Sequence, residues 1–145
     1  MAEKLGSTPK VLIVSNQQTT GPLWVFSLQQ QKLNVALESV PTNIVERVEK
    51  ETPDLIILDI NLTEAQILSL LRDVRAETLI PILLLAFAHT EEFVIEAYKA
   101  GVDDFIHKPV SPSLFQAKVN VWLKRFGATS ADFLNPLKVG TLQLF

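Results

Sequence analysis

Asp54-Leu-Ile-Ile-Leu-Asp59 is the stretch that decides the fold, because an uninterrupted apolar run stands between two aspartates. A strand that is apolar on both faces is typical of a parallel sheet covered by helices on both sides. Pro81-Ile-Leu-Leu-Leu-Ala86 has the same character, and Lys10-Val-Leu-Ile-Val14 is a shorter run rich in β-branched residues. These three runs predict buried parallel strands.

Segments with helical periodicity separate the predicted strands. The remaining predicted elements are strands at 35–40 and 104–108 and helices from Pro22 to about Lys32, from 41 to 52, around 67–74, from 90 to 101 and over 115–126. Right-handed crossovers between parallel strands place helices on both faces of the sheet. The sequence therefore predicts an α/β fold with a doubly wound, five-stranded parallel sheet.

Composition excludes several classes of protein. The chain has 145 residues, 48% of them apolar, which fits one domain with a single core. A net charge of −3 shows no basic excess, so the composition does not point to nucleic acid or anionic lipid as a partner, and the absence of cysteine excludes disulfides and thiolate chemistry. The apolar runs are too short to span a bilayer and the first ten residues lack the apolar stretch of a signal peptide. We therefore expect a cytoplasmic protein without membrane contact.

The candidate site follows from the fold, because doubly wound sheets bind ligands beyond the carboxyl ends of their strands. The residues that follow the predicted strands there are Ser15, Asn16, Asp59, Ala86, Phe87 and Lys108. Only Asp59 and Lys108 among them are charged.

Three motifs resemble the receiver domain of bacterial response regulators over about residues 10–126. They are Leu-Asp-Ile-Asn-Leu at 58–62, the strand that begins at Pro81, and Ala-Gly-Val-Asp-Asp-Phe-Ile-His-Lys-Pro at 100–109. The resemblance implies the flavodoxin-like receiver fold with strand order 2-1-3-4-5. It also implies that Asp59 accepts a phosphoryl group from a histidine kinase, that Lys108 contacts the phosphoryl oxygens, and that a cis peptide bond precedes Pro109.

Other positions depart from the family pattern. Ser15 and Asn16 occupy the positions of the acidic pair that holds Mg²⁺ in receivers, and Ala86 occupies that of the threonine or serine that drives the switch. Phe105 stands at the switch aromatic. Mg²⁺ is bound chiefly by carboxylates and water, so we expect weak Mg²⁺ binding and no other metal or cofactor.

Two functions remain open from the sequence. The first is a pseudo-receiver that acts by protein contacts, in which Asp59 and Lys108 form a structural ion pair and the replacement Asp59→Asn changes stability little. The second is a phospho-acceptor receiver modified on Asp59.

A flavodoxin-like cofactor binder would need a phosphate-binding loop, for which Ser-Asn-Gln-Gln-Thr-Thr-Gly at 15–21 is a faint candidate. A hydrolase would need more clustered carboxylates or histidines, so no enzyme is predicted.

Residues 127–145 differ in character from the rest of the chain. Small and polar residues are followed by Leu137-Lys-Val-Gly-Thr-Leu142, which resembles the opening of the second domain in winged-helix response regulators. The segment is therefore interpreted either as a linker and the start of a DNA-binding effector domain or as a C-terminal extension. Any DNA contact would come from that effector domain.

A weak symmetric homodimer is a further expectation. Winged-helix response regulators dimerise through crossed charge pairs on the fourth helix, fifth strand and fifth helix. The residues at similar positions here are Lys99, Asp103, Asp104, Lys118 and Arg125. Exposed pairs contribute only about 0.2–1 kcal/mol each, and the alternative is that these charges are simply solvated.

Overall fold

The computed structural model describes residues 8–87 and 89–127, and strands and helices alternate through them. The elements are β1 (Lys10–Ser15), α1 (Thr20–Gln29), β2 (Asn34–Glu38), a 3-10 turn (Pro41–Asn43), α2 (Ile44–Glu51), β3 (Leu55–Asp59), α3 (Glu64–Glu77), β4 (Ile82–Ala86), α4 (Glu91–Ala100), β5 (Asp104–His107) and α5 (Pro112–Gly127). The strands form one parallel sheet in the order β2-β1-β3-β4-β5. The predicted fold class and strand order are confirmed.

Two apolar layers cover the sheet. Val11 and Ile13 of β1 pack with side chains of α1 and α5, including Trp24 and Phe115. Alternate residues of the same strand face the opposite layer, which α2, α3 and α4 supply. Strands β3 and β4 are buried along their whole length, as their unbroken apolar sequences predicted. No helix in the described ranges is long and apolar enough to cross a membrane.

Several element boundaries differ from the prediction. Helix α1 begins at Thr20 and ends at Gln29, two to three residues before the predicted limits of Pro22 and Lys32. Pro22 lies in the first turn, where its missing N–H leaves no helical hydrogen bond unmade. Lys32 has a φ of 62°, which a right-handed helix does not accommodate.

The second strand and the helix that follows it, β2 and α2, are also shorter than predicted. Strand β2 ends at Glu38 and not at residue 40, and the segment from Pro41 first forms a 3-10 turn before α2. Thr52 ends α2 with a φ of 43°, in the left-handed region that breaks a helix.

The predicted receiver domain, residues 10–126, spans the first strand to the last helix of this fold. Of the predicted linker and effector segment, residues 128–145 lie outside the described residues, so that assignment stays a prediction.

Candidate functional site

Asp59 is the centre of the site and lies at the carboxyl end of β3. Its side chain is 0% exposed, and Ser15 stands opposite it in the register of β1 with β3. The ammonium Nζ of Lys108, which follows β5, contacts Oδ1 of Asp59 as an ion pair. The structure thus brings together the two charged residues that the sequence placed at this edge. The Lys108–Pro109 peptide bond is cis, as the resemblance implied.

Three uncharged groups donate hydrogen bonds to the other oxygen, Oδ2 of Asp59. The Thr20 hydroxyl lies 2.7 Å away, the indole Nε1 of Trp24 3.0 Å and the Ser15 hydroxyl 3.4 Å. Oδ1 has no hydrogen-bond donor of suitable geometry in the described ranges, so Lys108 is its partner through charge. The carboxylate is therefore neutralised and enclosed by the protein itself.

Helix α1 supplies two of these donors because of where it begins. Thr20 and Trp24 are four residues apart and so lie on the same face of the helix. Gly21 lets α1 approach β1 closely, since a Cβ at that position would stand 3.0 Å from the Ser15 Oγ. Sequence analysis missed both donors. The sequence signal that could have predicted them is Thr20 at the end of a polar loop, followed one helical turn later by the indole of Trp24.

Asn16 forms a reciprocal pair with the backbone of Asn61. Its Oδ1 accepts from the Asn61 N–H at 2.7 Å, and its Nδ2 donates to the Asn61 carbonyl at 3.2 Å. The side chain that replaces an acidic residue of the family thus fastens the loop after β1 to the loop after β3. Its amide group occupies a lone pair of the Asn61 carbonyl.

The two predicted switch positions, Ala86 and Phe105, are both buried. Ala86 ends β4, between β3 and β5 in the sheet, and has no hydroxyl to donate. The ring of Phe105 packs edge-on against Phe93, with centroids 6.2 Å apart, and lies 5.8 Å from Tyr98. Phe105 is therefore a packed side chain of the core in this structure.

The described ranges contain no group of three or more His, Cys, Asp and Glu side chains that could hold a metal ion. His89 pairs with Glu64, with Nδ1 and Oε2 2.8 Å apart, and this pair links the start of α3 to the segment before α4. His107 is exposed and its ring lies beside Phe105.

The charges predicted to form a dimer face have partners within the chain. Asp103 accepts from Arg75 and from the backbone N–H of Ile82, both at 2.8 Å. The other contacts are Lys118 to Asp104 at 3.5 Å, the Trp122 indole to Asp104 at 3.2 Å, Lys99 to Glu96 at 3.6 Å, and the Arg125 guanidinium over the Trp122 ring at 5.2 Å. A crossed pair between two chains would have to compete with these contacts.

The sheet order, the buried aspartate after β3 and the lysine after β5 together define the receiver class of signalling module. The response regulator receiver domain family matches residues 11–120, and the chain belongs to that family.

Its relatives are transcriptional regulators. The chain is 32% identical over 122 residues to the KDP operon transcriptional regulatory protein KdpE of Escherichia coli (strain K12), covering 83% of this chain and 54% of that protein. It is 29% identical over 129 residues to the alkaline phosphatase synthesis transcriptional regulatory protein PhoP of Bacillus subtilis (strain 168), covering 87% and 54%. The chain thus spans about half the length of these relatives.

A solved structure shows the same fold. A two-component response regulator from Clostridium difficile superposes with a TM-score of 0.75 at 23% identity, covering 81% of this chain and 98% of that one.

Proposed function

We propose that this chain is the receiver module of a transcriptional response regulator and works as a pseudo-receiver, with little or no phosphorylation. Its output would be contacts with other proteins in the cytoplasm, and it would catalyse no reaction. The matched relatives are transcriptional regulators about twice as long as the aligned region. DNA contact would therefore come from an effector domain that these residues do not include.

The state of Asp59 carries this proposal. An acceptor carboxylate must present an oxygen to the phosphoryl donor, whereas Asp59 is 0% exposed and holds donors from Thr20 and Trp24 on one oxygen and Lys108 on the other. Opening the site would break a buried ion pair and charge-assisted hydrogen bonds, each of which is costly to lose. We infer that Asp59 is a structural carboxylate.

The residues present do not fit the Mg²⁺ ion of active receivers. A hard cation needs several oxygen ligands, and carboxylates are the strongest of them. Ser15 and Asn16 bring no negative charge, and the Asn61 carbonyl already accepts a hydrogen bond from Asn16. Three N–H or O–H groups already donate to Oδ2 of Asp59, so a cation would have to displace them. We therefore propose weak Mg²⁺ binding and assign no step to the ion.

The second candidate is a phospho-acceptor receiver that a histidine kinase modifies on Asp59. The observation in its favour is the retained pairing of Asp59 with Lys108, since a lysine at this place can stabilise transferred phosphoryl oxygens. Metal and electrostatic stabilisation supply most of the catalysis of phosphoryl transfer. For this reason we place the pseudo-receiver first.

Incubation with ³²P-labelled acetyl phosphate and Mg²⁺ tests the choice. We expect the wild-type chain to incorporate no more label than the Asp59→Asn variant, because the carboxylate is buried and the metal ligands are missing. The variant supplies the background, provided that its circular dichroism shows a folded chain. Mg²⁺-dependent label that disappears in Asp59→Asn would establish the second candidate in place of the first.

Self-association through the face formed by α4, β5 and α5 remains a separate proposal. Because Lys118 already contacts Asp104 within the chain, we expect at most a weak symmetric dimer, with the charges setting orientation more than affinity. Sedimentation should show that high salt and Lys118→Glu both shift the equilibrium toward monomer. A species that is monomeric under all conditions, or a dimer that responds to neither change, would remove this face as an interface.

A further inference from the structure

A second feature lies next to Asp59, in a cleft between α1 and the segment that runs from Lys108 into α5. Its volume is about 540 Å³, within the range of about 300–1,000 Å³ that small-molecule sites occupy. The walls are mostly apolar and include Leu23, Trp24, Phe26, Phe87 and Val110. We call it the α1–α5 cleft.

The α1–α5 cleft carries almost no free charge. Lys108 is the charged residue of its wall, and its ammonium is paired with the buried carboxylate of Asp59. Two of the polar wall groups are also occupied, because the Gln116 amide donates to Ser27 at 2.8 Å and the Thr20 hydroxyl to Asp59, while Gln30 is an uncharged amide at the exposed edge. An ionised ligand would lose its hydration without gaining a free counter-charge. The cleft therefore favours an uncharged molecule.

The same residues line the α1–α5 cleft and hold Asp59. Thr20, Trp24 and Lys108 belong to the wall of the cleft and are also direct partners of the carboxylate. The Trp24 ring also packs on Phe115 of α5, with centroids 4.4 Å apart. A molecule in the cleft would consequently touch the groups that fix Asp59 and the groups that seat α5 on the sheet.

We propose that the α1–α5 cleft binds an uncharged, largely apolar small molecule with a ring system. Its occupancy would be the input of this receiver in place of phosphorylation. The role as input rests on the proposed pseudo-receiver function. Aromatic walls favour a flat ring, because aromatic pairs are worth about 0.5–1.5 kcal/mol beyond the area that they bury. The exposed side chains of Leu23 and Phe26, at 57% and 60%, would be covered by such a ligand.

N-phenyl-1-naphthylamine is a suitable probe because it is uncharged and its fluorescence rises in apolar surroundings. Titrated into the full chain, it should saturate at one molecule per chain. Phe26→Glu should weaken binding about tenfold or more, since the new carboxylate must be desolvated against the ring. Leu79→Glu is the matched control: Leu79 is 90% exposed and is not part of the cleft wall, so the affinity should stay unchanged.

A charged analogue tests the chemistry of the ligand. Anilinonaphthalene sulfonate has the same ring systems and adds a sulfonate, so it should bind more weakly than the neutral probe. Coupling to Asp59 is read from the two indole N–H resonances of the chain. The neutral probe should shift the indole N–H resonance of Trp24, which bonds Asp59. The resonance of Trp122, which bonds Asp104, should stay unchanged.

Each of these results would overturn the inference: equal probe binding by wild type and Phe26→Glu, an equal loss in Leu79→Glu, tighter binding of the sulfonate, or no shift of the Trp24 resonance. A dimer that Phe26→Glu converts to monomer would make a second copy the occupant, which also overturns it. Labelling of Asp59 by acetyl phosphate is a separate outcome. It removes the role as input and the pseudo-receiver together, whereas absent probe binding in an unlabelled chain removes only the ligand site.

Discussion

The Lys108→Ala variant is expected to lose about 3–5 kcal/mol of its free energy of unfolding, which is the usual cost of removing one partner of a buried ion pair. The Lys108 side chain is 10% exposed and that of Asp59 0%. Without the ammonium, Oδ1 of the buried Asp59 side chain has no remaining partner among the described residues. Urea unfolding followed by circular dichroism should show a lower midpoint with an unchanged slope.

Lys118→Ala is the matched control for this variant. Lys118 also pairs with an aspartate, Asp104, but its side chain is 39% exposed, so the loss should stay below about 1 kcal/mol. Similar losses in Lys108→Ala and Lys118→Ala would show that the ion pair at Asp59 is solvated and is not structural.

Asp59→Asn should also destabilise the chain. An amide has one oxygen and one NH₂, so the NH₂ must face either the Trp24 N–H or the Lys108 ammonium, and it is left unpaired because both are donors. The sequence alone predicted a small effect, and the measured free energy of unfolding decides between the two predictions.

Trp24→Ala is expected to cost about 3–5 kcal/mol of the free energy of unfolding, the typical result of removing a buried aromatic ring. Trp24 is 7% exposed and its ring packs on Phe115, so alanine leaves a cavity between α1 and α5. It also removes a donor from Oδ2 of Asp59. Thermal and urea unfolding should both report the loss.

Trp24→Phe separates the two effects. It keeps most of the ring and removes the indole N–H, so it should cost about 1–3 kcal/mol, as expected for a buried acceptor that loses a partner. If Trp24→Phe were as stable as the wild type, the indole would contribute packing alone. Asp59 would then be held by Thr20, Ser15 and Lys108.

The fold could be predicted from the sequence because its central strands are chemically unambiguous. The apolar runs of β3 and β4 fit only a position between two layers of helices, and the strand order followed from the family resemblance. The helix ends were less accurate. Proline at residue 22 favours the first turn of a helix without fixing which residue of that turn it occupies, so α1 begins two residues earlier, at Thr20.

The site could be predicted only in part. Asp59 and Lys108 were found because they are the charged residues among those that follow the predicted strands and because they match the family motifs. Thr20 and Trp24 were missed because their contact with Asp59 depends on where α1 starts and how closely it approaches β1. An indole in a largely apolar helix is ordinarily a core residue, and no local pattern predicts that its N–H bonds a carboxylate 35 residues away in the chain.

The enclosure of Asp59 also constrains which substitutions the site tolerates. Reintroducing an acid at position 15 would place a second negative charge beside a carboxylate that already shares the Lys108 ammonium on Oδ1 and holds Thr20 and Trp24 on Oδ2. The first step back toward a metal site would therefore cost stability before any metal could bind, and the next step would have to undo the pairing of Asn16 with Asn61. Several substitutions would have to accumulate together. We therefore expect single substitutions at positions 15 and 16 to leave the Asp59 carboxylate closed.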